Sequence, residues 1–441
     1  AQEKREFLTP SRQATTQPVW RLGIPALKAL DLAEDSSVPS AGALAATWDP
    51  DLVEREARVV AAGAVAANRR QIIGPDVADF GDDPWLASRM AVAWVTGLQG
   101  DGVIATLEGM GRGDERSFTP YEAAVEEAGL WAIQLAAGAP RPLAGVLEND
   151  WGFKGFVMGA GAARDEDEEV RRRLRAMFGV GLFDEDTRPG ADPVVDFNES
   201  VVLLKNESSL LPLAPVVRSI AVIGGSSLAI PAESHAAVSY GSAGDAVALA
   251  RKAEIALVFG GDLALIQAVA KVNPRTIVCL DRPKAVDGVP AILVAWGRRD
   301  IGRFLFGQND PSGKLPVGVE PQFPFGTGLS YTSFVYSELQ VFPKAPRYGQ
   351  LIQTNLRVKN SGARAGAEVV ELYVGGKLKA FQRIDLKPGE ARLVSFELDR
   401  RATSFYDPLV KTWACQPGVF EVTVGSSSRD IRLRDSFELF R

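Results

Sequence analysis

The sequence predicts an α/β multidomain protein: a shortened or collapsed (β/α) barrel, then an α/β sandwich, then a C-terminal β-sandwich. Three observations carry this. Over residues 21–163 short apolar runs alternate with helical repeats, the mark of βα units around a parallel sheet. The same alternation returns over residues 199–320. From residue 335 the period drops to two, in LRVKN, EVVELYV and ARLVSFEL, with turn signals at SGARAG and KPGE.

Taken in order, residues 1–20 form a polar arm without the apolar core of a signal peptide, although a chain whose signal had been removed would look the same. Strands are expected at residues 24–31, 71–75, 103–108, 132–136 and 155–158. A helix follows Trp48-Asp49-Pro50, with Val53, Ala57, Val60, Ala64 and Ala67 on one face. Another follows Asp83-Pro84, where Asp caps and Pro fills the first turn. Five strands in this stretch fall short of the eight of a complete barrel, which takes about 250 residues. Residues 164–198 read as a helix and linker, acidic at the helix start and basic at its end as the dipole favours. The sandwich region, 199–320, is expected to carry strands at 219–223, 255–259, 276–280 and 291–295 with helices at 245–252 and 263–271. Residues 321–334 form a linker, and 335–441 an all-β sandwich of fibronectin type III character.

Composition narrows the function. With 46% hydrophobic and 24% charged residues and a net charge of −6, the chain is an ordinary soluble protein without the basic footprint of a nucleic-acid binder. No window reaches the run of about 18 apolar residues that a membrane span needs. Cytoplasmic and secreted settings both remain open, as do homo- and hetero-oligomers. Cys279 and Cys415 sit in apolar runs and read as buried free thiols, and the single histidine, His235, as a loop or surface residue. That leaves no metal site and no cofactor. Gly224-Gly225-Ser226 lacks the lysine of a phosphate loop, and the sequons at Asn198 and Asn206 are weak signals.

The motifs are more specific. RLGIPALKALD, ALAATWDPDLVEREAR, FGDDPWLASRMAVAWVTGLQG, DGVIATLEG and GVLENDWGFKGFVMGAGAA occur in order, followed by FNESVVLLKNESSLLPL, NDPSGKLPVGV and FPFGTGLSYTSFVYS. From about Arg21 to Ser428 the chain resembles glycoside hydrolase family 3, the β-glucosidase and β-xylosidase family. The resemblance implies a barrel, a sandwich and a fibronectin type III-like domain. It also implies a catalytic Asp in a Ser-Asp-Trp triplet after the fifth strand, and here Ala160 stands in its place. Where the family carries a sugar-holding Lys-His pair this chain has Glu108-Gly109, and the family's arginine-bearing segment is cut to VADFGDD. Asp31 matches a sugar-binding Asp of the family. The family's long acid/base loop is reduced to Gly260-Gly261-Asp262, without a glutamate. Retaining hydrolysis needs two carboxyl groups about 5–5.5 Å apart, so the resemblance supports the fold and speaks against conventional hydrolysis.

Replacement carboxylates are therefore the residues to weigh. Glu108 and Asp31 are both expected at C-terminal strand ends, where barrel sites lie, and are the candidate acid/base pair. Arg112 and Asp114 follow Glu108, and Asp281-Arg282 ends a strand of the second domain; with Asp31 these are the candidate substrate-binding residues. The blander alternatives are an arginine-paired Glu108 on a solvated rim and an Arg282 that ties domains together. The expected function is a diverged enzyme acting on a small carbohydrate-like or polyhydroxylated molecule by non-hydrolytic acid/base chemistry. A non-catalytic pseudo-glycosidase and a β-glycosidase with relocated carboxylates are the alternatives.

Overall fold

In the computed structural model, the described residues are 2–10, 15–34, 38–112, 118–139, 146–159, 165–184, 197–225, 227–232, 234–298, 300–407 and 412–441. The chain divides into two units, residues 1–45 with 49–196 and residues 46–48 with 197–441. Their elements run α1 (Gln2–Leu8), β1 (Ala29–Asp31), α2 (Ala41–Ala46), α3 (Pro50–Ala66), β2 (Gln71–Asp76), α4 (Pro84–Gly100), β3 (Ile104–Met110), α5 (Thr119–Ala128), β4 (Ala132–Leu135), β5 (Phe156–Met158) and α6 (Glu166–Gly179) in the first.

The sheet of the first unit has five strands in the order β1-β2-β3-β4-β5, all parallel. Its helices begin where the sequence says they should. The Asp49 carboxylate accepts from Leu52 N at 3.1 Å, Pro50 occupies the first turn of α3, and Val53, Ala57, Val60 and Ala64 are buried along one stripe. Asp83 caps α4 in the same way through Trp85 N and Leu86 N. Gly97 is where these two helices meet: a Cβ there would stand 2.4 Å from the Glu54 carbonyl oxygen.

The sheet is strongly curled. Flat, it would hold β2 and β5 about 14 Å apart, three strand spacings. Yet the Gln71 amide on β2 donates to Thr106 Oγ1 on β3 at 2.8 Å and to Met158 Sδ on β5 at 3.2 Å. Thr15 Oγ1 donates to Gln71 Oε1 at 2.6 Å, so the segment after α1 lies buried in the trough. Residues 2–10 and 15–20 are thus no free arm. Helix α1 packs on α6 through Arg5–Glu166 (2.9 Å), Lys4–Asp167 and the buried Phe7. Helix α6 is held to β5 by Arg173, which pairs with Glu169 at 2.9 Å and covers the Phe156 ring at 4.7 Å.

The second unit continues with β6 (Val202–Asn206), β7 (Ser219–Ile223), β8 (Ala237–Gly241), α7 (Ala246–Lys252), β9 (Ile255–Phe259), α8 (Leu263–Ala270), β10 (Thr276–Leu280), β11 (Ala291–Val294) and α9 (Gly302–Leu305). Sheet order is β6-β11-β10-β9-β7-β8, with β6 antiparallel and the other neighbours parallel. Successive residues of β9 enter cores on opposite faces, Leu257 on one and Val258 on the other, which is why its run is apolar throughout. The Asn206 side chain both donates to and accepts from the Leu211 backbone, closing its own loop. Cys279 is buried and Cys415 only half-buried, both as free thiols, and His235 is exposed.

Residues from Phe334 form two antiparallel sheets. One holds β12 (Phe334–Phe342), β13 (Ile352–Asn360) and β16 (Ala391–Leu398). The other holds β14 (Gly366–Val374), β15 (Lys377–Leu386), β19 (Gly418–Gly425) and β20 (Ile431–Leu439); β17 (Ser404–Asp407) and β18 (Thr412–Cys415) make a separate hairpin. An ion pair between Lys314, with 5% of its side chain exposed, and Glu368, with 9%, ties the approach segment to this sandwich at 2.9 Å. The Lys314 ammonium also donates to the carbonyls of Gly328 (3.1 Å) and Ser426 (3.0 Å). Removing one partner of a buried pair strands the other. Lys314→Ala is accordingly expected to lower unfolding free energy by about 3–5 kcal/mol, read from urea titration.

Glu56, buried on α3, is pushed up to about 7 by loss of water. The folded protein therefore keeps a proton that the unfolded chain releases in the ordinary carboxylate range, so the contribution is present at low pH and lost as pH rises through about 7. Glu56→Gln is expected to raise the melting temperature above pH 7 and to leave it unchanged near pH 4, measured by calorimetry across that range.

Candidate functional site

Parallel pairing brings the C-terminal ends of β1, β2 and β3 to one edge, and each ends in or carries a carboxylate: Asp31, Asp76 and Glu108. Asp76 pairs in register with Glu108, and Asp31 with Ile73. The Glu108 side chain crosses β2 toward β1 at Gly74: a Cβ there would lie 3.4 Å from Glu108 Oε2 and 3.3 Å from the Cβ of Leu32, the residue after Asp31. Gly74 has φ 103°, a conformation that itself demands glycine. Asp76 leans the other way, over the backbone of Gly109, where a Cβ would stand 2.3 Å from its carboxylate. Its Oδ1 accepts from Ala78 N at 3.1 Å and its Oδ2 from the Arg112 guanidinium.

Glu108 is half-buried, and burial raises its carboxyl above the ordinary range. The charges of Asp31 and Asp76 push the same way, Asp79 adds a little, and Arg112 opposes them. Tyr121 donates its hydroxyl to the Glu108 carbonyl oxygen, and burial holds its own ionisation well above the usual phenol value. Arg112 itself is largely exposed. A cavity of about 150 Å³ opens beside Asp76, lined by Asp82, Gly109, Arg112, Pro120 and Tyr121. That is smaller than the hollows of roughly 300–1,000 Å³ that enclose drug-sized ligands, and Glu108 does not line it.

Glu108 and Asp31 stand at the same sheet edge on either side of β2, near enough for the Asp31 charge to act on Glu108, and Arg112 pairs with Asp76 between them. Asp114 and Ala160 lie outside the described residues. Asp281 and Arg282 follow β10 in the second unit. There β9 passes to α8 through Gly260, Gly261 and Asp262, with the Asp262 carboxylate accepting from Ala264 N and Leu265 N. Sequence reading missed Asp76 and Tyr121. Asp76 was findable, since extending the second strand one residue past Pro75 puts a carboxylate level with Glu108. Among the described residues no cluster of three or more His, Cys, Asp or Glu is arranged to hold a metal.

Similar proteins agree with this architecture. A model of the fibronectin type III-like domain matches residues 368–428. The thermostable β-glucosidase B of Acetivibrio thermocellus is 27% identical, over 96% of this chain and 84% of its own. A β-xylosidase of Formosa agariphila is 25% identical, over 93% and 90%. In structure, a β-glucosidase from Streptomyces venezuelae superposes with a TM-score of 0.84 at 22% identity, covering 99% of this chain and 98% of its own. One from Chaetomella raphigera gives 0.82 at 21%, covering 98% and 95%. Over nearly its whole length the chain is similar to β-glucosidases and β-xylosidases. The alignment to the Acetivibrio relative runs over 641 positions although this chain has 441 residues, so at least 200 positions have no counterpart here.

The charges around Glu108 make a paired expectation. Asp76→Asn is expected to lower the Glu108 titration midpoint and Arg112→Ala to raise it, read from the side-chain carboxyl carbon by NMR. Equal, same-direction shifts in both variants would mean that Glu108 does not sense this pair.

Proposed function

We propose that this chain is a diverged carbohydrate-acting enzyme in which Glu108 is the acid/base group and Asp31 its partner, working without hydrolysis on a small polyhydroxylated molecule. The observation that carries the reading is the setting of Glu108: a half-buried carboxyl beside two other carboxylates at the edge where parallel sheets of this kind keep their chemistry. A carboxyl shifted toward its neutral form can donate a proton to a substrate oxygen and then, as carboxylate, draw one from an adjacent carbon. Asp31 supplies a second acceptor or a hydroxyl anchor. Arg112, held by Asp76, supplies positive charge for an oxygen that becomes negative along the way. Isomerisation, cyclisation and elimination fit these parts. The similar β-glucosidases and β-xylosidases supply the substrate class, a sugar or sugar-like molecule.

Retaining hydrolysis requires a carboxylate that bonds to the sugar carbon. Ala160 stands at the position where the family motif carries that group, and its methyl cannot do so. A second reading, a β-glycosidase with relocated carboxylates, draws on the gathering of Asp31, Asp76 and Glu108 at one edge. A third, a non-catalytic pseudo-glycosidase, draws on the small volume of the cavity beside Asp76.

Two assays separate these. No release of p-nitrophenol from β-glucoside or β-xyloside reporters above buffer is expected; robust release that disappears in Glu108→Gln would establish the second reading instead. In D2O, a panel of aldoses, ketoses and aldonic acids is expected to include one whose carbon-bound proton exchanges with solvent by NMR, with the rate falling at least about a hundredfold in Glu108→Gln. Exchange that Glu108→Gln leaves intact would remove Glu108 from the reaction.

A further inference from the structure

The second unit holds a groove of about 920 Å³, at the upper end of the volumes that accommodate small-molecule ligands. Nothing in the Glu108 reading uses it. Its floor is rigid. Arg383, with only 7% of its side chain exposed, donates to Ser312 O at 3.1 Å and Ser312 Oγ at 2.7 Å, and pairs with Glu199 at 3.0 Å. Asp310 accepts from Tyr331 N at 2.7 Å and from Ser330 Oγ at 2.8 Å. These groups are occupied and hold the shape.

Along the walls the pattern differs. Among the described residues, the Asn309 side-chain amide, the Asp385 carboxylate and the Lys387 ammonium all line the groove; none makes a side-chain hydrogen bond, and Lys387 meets only the nearby charge of Glu390. Together they offer one mixed donor and acceptor, one pure acceptor and one pure donor. An anionic ligand would meet Asp385, Glu199 and Glu390, a cationic one Lys387 and Arg392, and the apolar part of the lining, with Leu386, Pro388 and two alanines, offers no aromatic ring. What suits all three groups at once is a neutral molecule carrying closely spaced hydroxyls, each able to donate and accept. The volume has room for more than one ring. We propose that this groove is a binding site for a neutral oligosaccharide, held by Asn309, Asp385 and Lys387, separate from the carboxylate edge of the first unit.

The test is isothermal titration of the full chain with cellopentaose and with xylopentaose. A saturable isotherm with a Kd of about millimolar or tighter is expected for at least one. It should weaken at least about tenfold in Asn309→Ala/Asp385→Ala and measurably in Lys387→Ala, and remain unchanged in Glu108→Gln. Because these side chains carry no internal bonds, the variants should melt with the parent by circular dichroism; the single Lys387→Ala variant decides the matter if the double one does not. No saturation by either sugar up to about 10 mM overturns the proposal. So does binding lost in Glu108→Gln and kept in the groove variants, or tighter binding of a neutral Gly/Ser/Asn decapeptide than of either sugar. Since Glu108→Gln reports on the first unit alone, failure of this site and failure of the Glu108 reading give different results.

Discussion

The side chain of Gln71 imposes the shape of the first unit. A five-stranded parallel sheet has two faces to bury and two unclosed margins, and a flat one would leave its inner face wet. By bonding to Thr106 on the next strand and to Met158 three strands away, Gln71 commits the sheet to a tight curl. Thr15 then completes the amide by donating to its oxygen, which brings the N-terminal segment into the hollow as filling. The fold keeps the curvature of a barrel with fewer staves, and a buried polar group satisfied on all sides costs little while fixing one arrangement.

From that curl follows the crowding at the sheet's edge. Adjacent parallel strands that bend inward aim their C-terminal side chains at one another, so Asp31, Asp76 and Glu108 converge. Room for them comes from two glycines: Gly74 lets one carboxyl cross a strand, and Gly109 lets another rest on bare backbone. Burial and the neighbouring charges of Asp31 and Asp76 together disfavour the charged form of Glu108, so strand geometry alone raises its carboxyl.

Much of this was legible beforehand, and the reasons are local. Strand and helix starts were written in Asp-Pro pairs and in the switch between periods of two and nearly four, and the structure begins α3 and α4 at Asp49-Pro50 and Asp83-Pro84 as read. The first strand was overestimated: only Ala29–Asp31 run as a strand beside β2, while Ile24 makes a single bridge to Val19 and Leu27 is apolar for packing. Glu108 and Asp31 could be placed together because strand ends share an edge. Asp76 was missed because Gly-Pro before it reads as the end of a strand, although one more residue of pairing sets it opposite Glu108. The fate of residues 1–20 was also hidden: a polar composition says nothing of Lys4 and Arg5 finding Asp167 and Glu166, which are more than 150 positions away. The groove of the second unit is formed by residues from far-separated stretches, so no local pattern announces it.

The clasp between α1 and α6 carries a consequence for biogenesis. Helix α1 leaves the ribosome among the first residues of this stretch, and its docking surface is made some 160 residues later. At translation speeds of 5–20 residues per second, Phe7 waits about 10–30 s for its cover. During that interval the ion partners of Lys4 and Arg5 do not yet exist.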